Sequence, residues 1–319
     1  MDKKLITGLH HITALSSGAQ ENVDFYAGIL GLRMVKKTIN FDAPDVYHLY
    51  YGDNEGTPGT LMTFFPFPGM VRGRKGTGQL TITSFSISPD SLEYWMKRLE
   101  RFGIKHSGLR KRLNNEEYIY LEDNDGLGIE LVANKRDYRE GYNRGHIPGE
   151  HAVKGFYGIT LNEEHHEKTA AFVSGLLDYK LLSEENGRRR FSPEGEVGGL
   201  VDIVTGQPEP AGGQGSGTVH HVAFATANND TQLEIRERLV TEGVHVTPVI
   251  DRQYFKSIYF REPGGVLFEV ATLPPGMAID EDLQSLGSSL KLPSWQENNR
   301  VEIEKNLEPV KPDMGKFSD

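Results

Sequence analysis

Eleven histidines occur in this 319-residue chain, and four of them stand in two matching pairs. His10-His11 lies within Leu9-His10-His11-Ile12-Thr13, and His220-His221 lies within Val219-His220-His221-Val222-Ala223. Both stretches are short and apolar on either side of the pair, so both read as strands. A lone histidine in such a strand is ordinarily a core or surface residue, but two pairs in equivalent surroundings point to a shared task. Neighbouring side chains of a strand face opposite ways. One member of each pair is therefore expected to face a common interior and the other to face away. Glu269 offers the carboxylate that would complete such a site, flanked by Leu267, Phe268, Val270 and Ala271. An ionised carboxylate in so apolar a strand is expensive unless a cation or a hydrogen-bond donor meets it. The chain has no cysteine, so a metal would have to sit on nitrogen and oxygen. Two imidazoles and one carboxylate form the facial triad suited to non-haem iron(II), with adjacent coordination positions left free.

Two further residues belong with this group. Tyr259 stands ten residues before Glu269, ahead of the Gly264-Gly265 turn, and Arg252 stands further up the same segment. A hairpin at that turn brings the phenol beside the carboxylate strand, where a phenol and a guanidinium could hydrogen-bond an anionic oxygen. Other candidates read as structural. His165-His166 lacks the His-Glu-x-x-His order of zinc hydrolases and reads as an exposed helix terminus. His146 and His151 fall in a linker, and His48 reads as a strand residue with a structural role. The glycine-rich stretch from Ala211 to Gly217 is not followed by Lys-Ser/Thr and reads as a flexible turn. Arg188-Arg189-Arg190 reads as a solvated turn.

The elements that must position these residues come from an internal repeat. Phe25-Tyr26-Ala27-Gly28-Ile29-Leu30 matches Phe172-Val173-Ser174-Gly175-Leu176-Leu177, in each case an apolar helical pattern running into a turn. Asp125-Gly126-Leu127-Gly128-Ile129-Glu130 matches Gly264-Gly265-Val266-Leu267-Phe268-Glu269, a glycine turn followed by a glutamate inside an apolar strand. Helical patterns over 92–102 and 233–241 each end just before a glycine, Gly103 and Gly243, suited to a left-handed C-terminal cap. Four units result, at about 6–67, 78–133, 154–205 and 217–272, each reading as strand, helix and three strands. The expected fold class is α+β: four βαβββ modules closing two cup-shaped, eight-stranded barrels. The expected organisation is an N-terminal pair of modules over 1–133, a linker over 134–153 and a C-terminal pair over 154–272. A tail over 273–319 follows, with a short helix near 293–307 and a disordered end. Glu130 is the repeat partner of Glu269, but its module begins Leu80-Thr81-Ile82-Thr83-Ser84 and module three begins Gly155-Phe156-Tyr157-Gly158. Neither holds a histidine, so one metal site is expected, and Glu130 reads as a relic of duplication or a structural hydrogen-bonder.

The formal charge of −10 argues against a nucleic-acid partner, which would want a basic face. No apolar run approaches bilayer length, and the first residues lack the pattern of a signal peptide, so a cytoplasmic protein is expected.

The four modules, Leu9-His10-His11-Ile12-Thr13, Val219-His220-His221-Val222-Ala223 and Phe268-Glu269-Val270 together resemble the vicinal oxygen chelate superfamily. Within it the chain is similar to the hydroquinone-type ring-cleaving dioxygenases, and to those of Gram-positive bacteria linked to quinone resistance. The resemblance runs from about Leu5 to Pro275, with further likeness at Leu292-Pro293. It departs from the catechol extradiol enzymes, whose ligands come from modules three and four, since the first strand of module three here offers no histidine. The resemblance implies His11, His221 and Glu269 as Fe(II) ligands, with modules one and four sharing a cup. It implies His10, Thr13, His220, Arg252 and Tyr259 as pocket residues around the metal. It also implies an aromatic diol and O2 as substrates, and a homo-oligomer is expected. Two alternatives stand beside it: a glyoxalase-like metal-dependent isomerase or thiol transferase, which usually wants a fourth protein ligand, and a non-catalytic protein that binds aromatic compounds.

Overall fold

The computed structural model describes residues 4–113, 115–193, 198–205 and 209–318. Each of the four units folds as a strand, a helical segment and three further strands. The first contains β1 (Gly8–Ser16), α1 (Ala19–Val23) running on as a π-helical turn, β2 (Arg33–Asn40), β3 (Ala43–Gly52) and β4 (Leu61–Pro66). The second contains β5 (Gln79–Ile87), α2 (Leu92–Arg101), β6 (His106–Arg112), β7 (Glu116–Glu122) and β8 (Gly128–Ala133). The third contains β9 (Gly155–Asn162), α3 (His166–Gly175), β10 (Lys180–Glu185), β11 (Arg188–Ser192) and β12 (Leu200–Val204). The fourth contains β13 (Thr218–Thr226), α4 (Asn229–Thr241), β14 (Ile250–Asp251), β15 (Lys256–Arg261) and β16 (Leu267–Thr272). Gly103 and Gly243 follow α2 and α4 with φ of 68° and 78°, the left-handed conformation their positions require. Helix α4 begins earlier than its apolar pattern because Asn228 and Thr231 cap it reciprocally, each side chain meeting the other's backbone N–H. Among the described residues, no helix is long and apolar enough to cross a membrane.

The strands form two eight-stranded cups, ordered β14-β15-β16-β13-β1-β4-β3-β2 and β10-β11-β12-β9-β5-β8-β7-β6. The seams are the antiparallel pairs β1·β13 and β5·β9. Module one therefore shares a sheet with module four, and module two with module three, so neither cup coincides with a half of the sequence. The two segments that cross between cups hold each other: Arg74 and Gly213 exchange backbone hydrogen bonds, and Gly73 N–H donates to the Ser216 carbonyl. The glycine-rich stretch is thus not the free turn its composition suggests. Its small residues allow two backbones to run side by side, and a Cβ at Gly215 would meet backbone atoms at 2.5 Å.

The tail also differs from expectation at its end. Helix α5 (Arg300–Asn306) lies where predicted, but the chain stays packed beyond it. Phe317 is buried against Gly28, which leaves no room for a side chain there, and its carbonyl accepts a hydrogen bond from the buried Arg98 at 2.9 Å.

The second cup shows what takes the place of a metal. On β8, Glu130 is 2% exposed and accepts hydrogen bonds from Ser84 Oγ at 2.6 Å and from Arg112 Nη1 and Nη2 at 2.6 and 2.7 Å. Arg190, on β11, donates to both Asp202 oxygens at 2.8 Å and also reaches Glu116, while Arg188 donates to Asp202 at 2.7 Å. The three-arginine run is therefore a strand with a buried ion pair, not a solvated turn: Arg190 is only 7% exposed. Removing one partner of such a pair strands the other charge. Replacing Arg112 by Met should lower the unfolding free energy by about 3–5 kcal/mol in urea titrations, with much of the loss recovered when Glu130→Gln is added.

Candidate metal centre

The first cup is built on two β-bulges. Along the seam of β1 and β13, Leu9 pairs with Phe224 and His11 with Ala223, so His10 is an extra residue on β1. Further on, Thr13 pairs with His221 and Ala14 with Val219, so His220 is an extra residue on β13. A bulge kinks its strand and re-aims the side chains beside it. This corrects the expectation for the second pair, both of whose members line the cavity, whereas in the first pair only His11 does. His10 Nδ1 lies 2.9 Å from His11 Nδ1, and His220 Nδ1 lies 2.8 Å from His221 Nδ1. The second cup repeats the device at Thr81 and Tyr157, but Gly158 and Ile82 stand where His11 and His221 stand in the first.

Three atoms converge between these strands. His11 Nε2 and His221 Nε2 are 3.2 Å apart, and Glu269 Oε2 lies 3.3 Å from the first and 3.0 Å from the second. All three residues are buried, and among the described residues they form the one group of at least three such side chains close enough to share an ion. Glu269 reaches the point from the middle of β16, paired in parallel with Ala223 of β13. Its Oε1 accepts a hydrogen bond from Ser257 Oγ on β15, which leaves Oε2 buried with no hydrogen bond of its own. Burial pushes the Glu269 carboxyl up, but His11 and His221 pull it down further and hold it well below the usual carboxylate range. Burial lowers the His221 imidazole against the opposing pull of Glu269. An anionic oxygen and neutral imidazoles are the protonation states that a divalent cation requires. A lone pair at Nε2 places each proton on Nδ1, from where His11 donates to His10 and His221 to His220. The neighbouring histidines are held neutral for this: burial, then the adjacent His11, brings His10 down to about 3, and burial with His221 brings His220 to about 4. Such partners fix the tautomer and ring orientation of a ligating imidazole. The donor set, the orphaned carboxylate oxygen and the oriented rings all fit a metal ion.

The triad opens onto a cavity of about 370 Å³ whose wall includes His11, His220, His221, Tyr259 and Arg252. Tyr259 sits directly opposite Glu269 in the β15·β16 register, as the hairpin reading expects. Its hydroxyl accepts a hydrogen bond from Arg252 Nε at 3.1 Å, and burial beside Glu269 raises its pKa despite that guanidinium. His10 and Thr13 do not line the cavity. The His10 ring packs on Phe255 with centroids 4.9 Å apart, and the Thr13 hydroxyl meets Thr63 Oγ1 at 2.7 Å.

The sequence reading passed over three residues of this site. Ser257 carries no motif, and only the β15·β16 pairing shows that it supports Glu269. Phe255 packs against His11 as well as His10, again at 4.9 Å, and lines the cavity. His48 lines the cavity too, correcting its assignment to a purely structural role. Its Nδ1 meets Tyr50 OH and its Nε2 meets Thr63 Oγ1, each at 2.9 Å. Burial, then the nearby His11 and His221, holds His48 well below the ordinary imidazole value. Its place in Tyr47-His48-Leu49-Tyr50, where aromatic residues alternate on one face, was the available signal. His146, His151, His165 and His166 are not part of the triad or the cavity wall.

Comparison with known proteins agrees with this geometry. The Glyoxalase/Bleomycin resistance protein/Dioxygenase superfamily pattern matches residues 8–131 and 155–270. The chain is 40% identical to "Putative ring-cleaving dioxygenase MhqO" of Bacillus subtilis (strain 168), over 97% of this chain and 98% of that protein. It is 34% identical to "Chlorohydroquinone/hydroquinone 1,2-dioxygenase" of Sphingobium indicum, over 93% and 95%. The crystal structure of "putative dioxygenase from Bacillus subtilis subsp. subtilis str. 168" superposes with a TM-score of 0.93 at 40% identity, covering 98% of this chain and 99% of that one. A glyoxalase I mutant from Zea mays shares the fold alone, with a TM-score of 0.64 at 14% identity, covering 83% and 92%. The chain belongs to the glyoxalase/bleomycin resistance protein/dioxygenase superfamily and, within it, to the ring-cleaving dioxygenases.

Proposed function

We propose that this chain is an iron(II)-dependent dioxygenase that opens the ring of a hydroquinone- or catechol-type diol with both atoms of O2. The observation that carries the reading is the meeting of His11 Nε2, His221 Nε2 and Glu269 Oε2 at the wall of a partly aromatic cavity. Iron(II), held by His11, His221 and Glu269, would supply the chemistry that brings a diol and dioxygen to react together. The relatives named for ring cleavage and for hydroquinone support the same chemistry.

The protein's own residues have distinct parts in this scheme. Ser257 holds the Glu269 carboxylate so that one oxygen faces the imidazoles. His10 and His220 keep the ligand rings in the tautomer that leaves Nε2 free. Tyr259 and Arg252 present an O–H and N–H groups to the cavity, suited to an oxygen that gains negative charge during reaction. His220, neutral and at the cavity wall, carries its own proton at Nε2 and can donate it as a hydrogen bond to a substrate oxygen. The aromatic side chains on the wall exclude water from the reacting ring. A glyoxalase-like reading wants a fourth ligand, and the cluster among the described residues has three.

Anaerobic reconstitution with iron(II), followed by metal analysis and oxygen-electrode assays against a panel of methylated and chlorinated hydroquinones and catechols, tests the reading. The wild-type protein is expected to hold about one iron per chain and to consume oxygen with at least one diol. His11→Ala, His221→Ala and Glu269→Ala are each expected to lose both iron and turnover. Full iron and full activity in any of them would remove that residue from the triad. Ser257→Ala should keep the fold but weaken metal affinity roughly 10–100-fold in chelator competition, the usual scale for a residue that orients a ligand. An unchanged affinity would show that Ser257 is a bystander.

A further inference from the structure

The mouth of the metal cavity carries one ion pair, and its placement bears on which diols can enter. Among the described residues of the wall, Arg252 is the one permanent cation, and Asp42 the one carboxylate besides the ligand strand. They come from opposite ends of the first cup: Asp42 from the turn between β2 and β3, Arg252 from just beyond β14. Arg252 Nη1 donates to Asp42 Oδ2 at 3.1 Å, while Nε is engaged by Tyr259. The turn that carries Asp42 is held in place. Asp42 N–H donates to Asn40 Oδ1 at 2.9 Å, and the neighbouring Phe41 ring packs edge-on against Trp295 of the tail at 5.5 Å. The remainder of the wall is largely apolar, with Leu15, Phe41, Phe65, Phe67, Ile250 and Leu267.

A diol ring that places an anionic substituent at the mouth of this cavity is disfavoured there. Against the apolar wall its carboxylate would lose water without gaining a partner. Beside Arg252 it would meet a guanidinium already shared, and it would face the Asp42 carboxylate at close range, a like-charge contact that discriminates against a partner. A methyl or halogen at the same ring position meets neither penalty.

The geometry points to Asp42 as a specificity-determining residue, a carboxylate at the cavity mouth that excludes aromatic diols bearing a ring carboxylate and leaves those with uncharged substituents. This rests on the ring-cleavage reading for the identity of the ligand as a diol, but it is tested by binding alone.

Methylhydroquinone and 2,5-dihydroxybenzoate differ by exchange of a methyl for a carboxylate that can also reach the metal. Anaerobic calorimetric titration of the iron(II)-loaded wild type and Asp42→Asn with each therefore isolates the charge at the mouth as the change in their ratio. The wild-type protein is expected to bind the methyl compound at least about tenfold more tightly. The Asp42 carboxylate is 75% exposed, so screening limits its share, and Asp42→Asn is expected to shrink that ratio by about fivefold. Asp42→Glu, which keeps the charge, should hold the ratio near the wild-type value. Equal binding of the two diols by the wild type, or an unaltered ratio in Asp42→Asn, would overturn the filter. Failure of both diols to bind at all would end it together with the ring-cleavage reading. Discrimination without oxygen uptake would leave the filter standing and end only the ring-cleavage reading.

Discussion

A carboxylate buried in the middle of a sheet must be met by positive charge or by hydrogen-bond donors, and both cups of this protein are organised around that requirement. In the first, Glu269 is wholly buried, one of its oxygens is held by Ser257, and the other faces two imidazoles. In the second, the equivalent Glu130 meets a guanidinium and a serine. The solutions differ in consequence. Arg112 satisfies both oxygens of Glu130 and closes the site, whereas the imidazoles of the first cup leave a carboxylate oxygen without a hydrogen bond. An arginine supplies charge that cannot leave, and an imidazole pair offers lone pairs that suit a divalent ion.

The same comparison explains why a duplicated scaffold offers one candidate metal centre among its described residues. The bulges are present in both cups, at His10 and His220 in one and at Thr81 and Tyr157 in the other. The backbone device that turns two adjacent side chains to one side therefore belongs to the fold, and the side chains hung on it decide the chemistry. With Gly158 and Ile82 at the ligand positions, the second cup has become a buried ionic cluster of Arg112, Arg188, Arg190, Glu116, Glu130 and Asp202.

The cavity depends on contacts that reach far along the chain. The turn carrying Phe41 and Asp42 faces the segment carrying Arg252 across the mouth, and the tail residue Trp295 packs on the outside of that turn. Phe255 lies behind the histidine pair on β1 and touches both of its rings. The apolar surface that accepts a ring and the polar edge that would engage its oxygens are thus drawn from modules one and four together.

The residue types of the triad, the absence of thiolates, the repeat units and their helix ends were legible from the sequence alone. Each is a local property: a spacing, an apolar period or a capping glycine is written within a few dozen residues. The expectation of one such site was legible for the same reason, since the first strands of modules two and three lack histidine. What tertiary structure decided are relations between strands about 200 residues apart. The pairing of β1 with β13 puts His11 opposite Ala223, and the bulges along that seam bring both histidines of each pair together against the simple alternation of a strand. Ser257 beside Glu269, Arg112 on Glu130 and Asp42 on Arg252 likewise depend on register across a sheet or cup. Alternation fixes a side chain's face only while the ladder is regular, and where a strand takes an extra residue depends on the partner it is paired with.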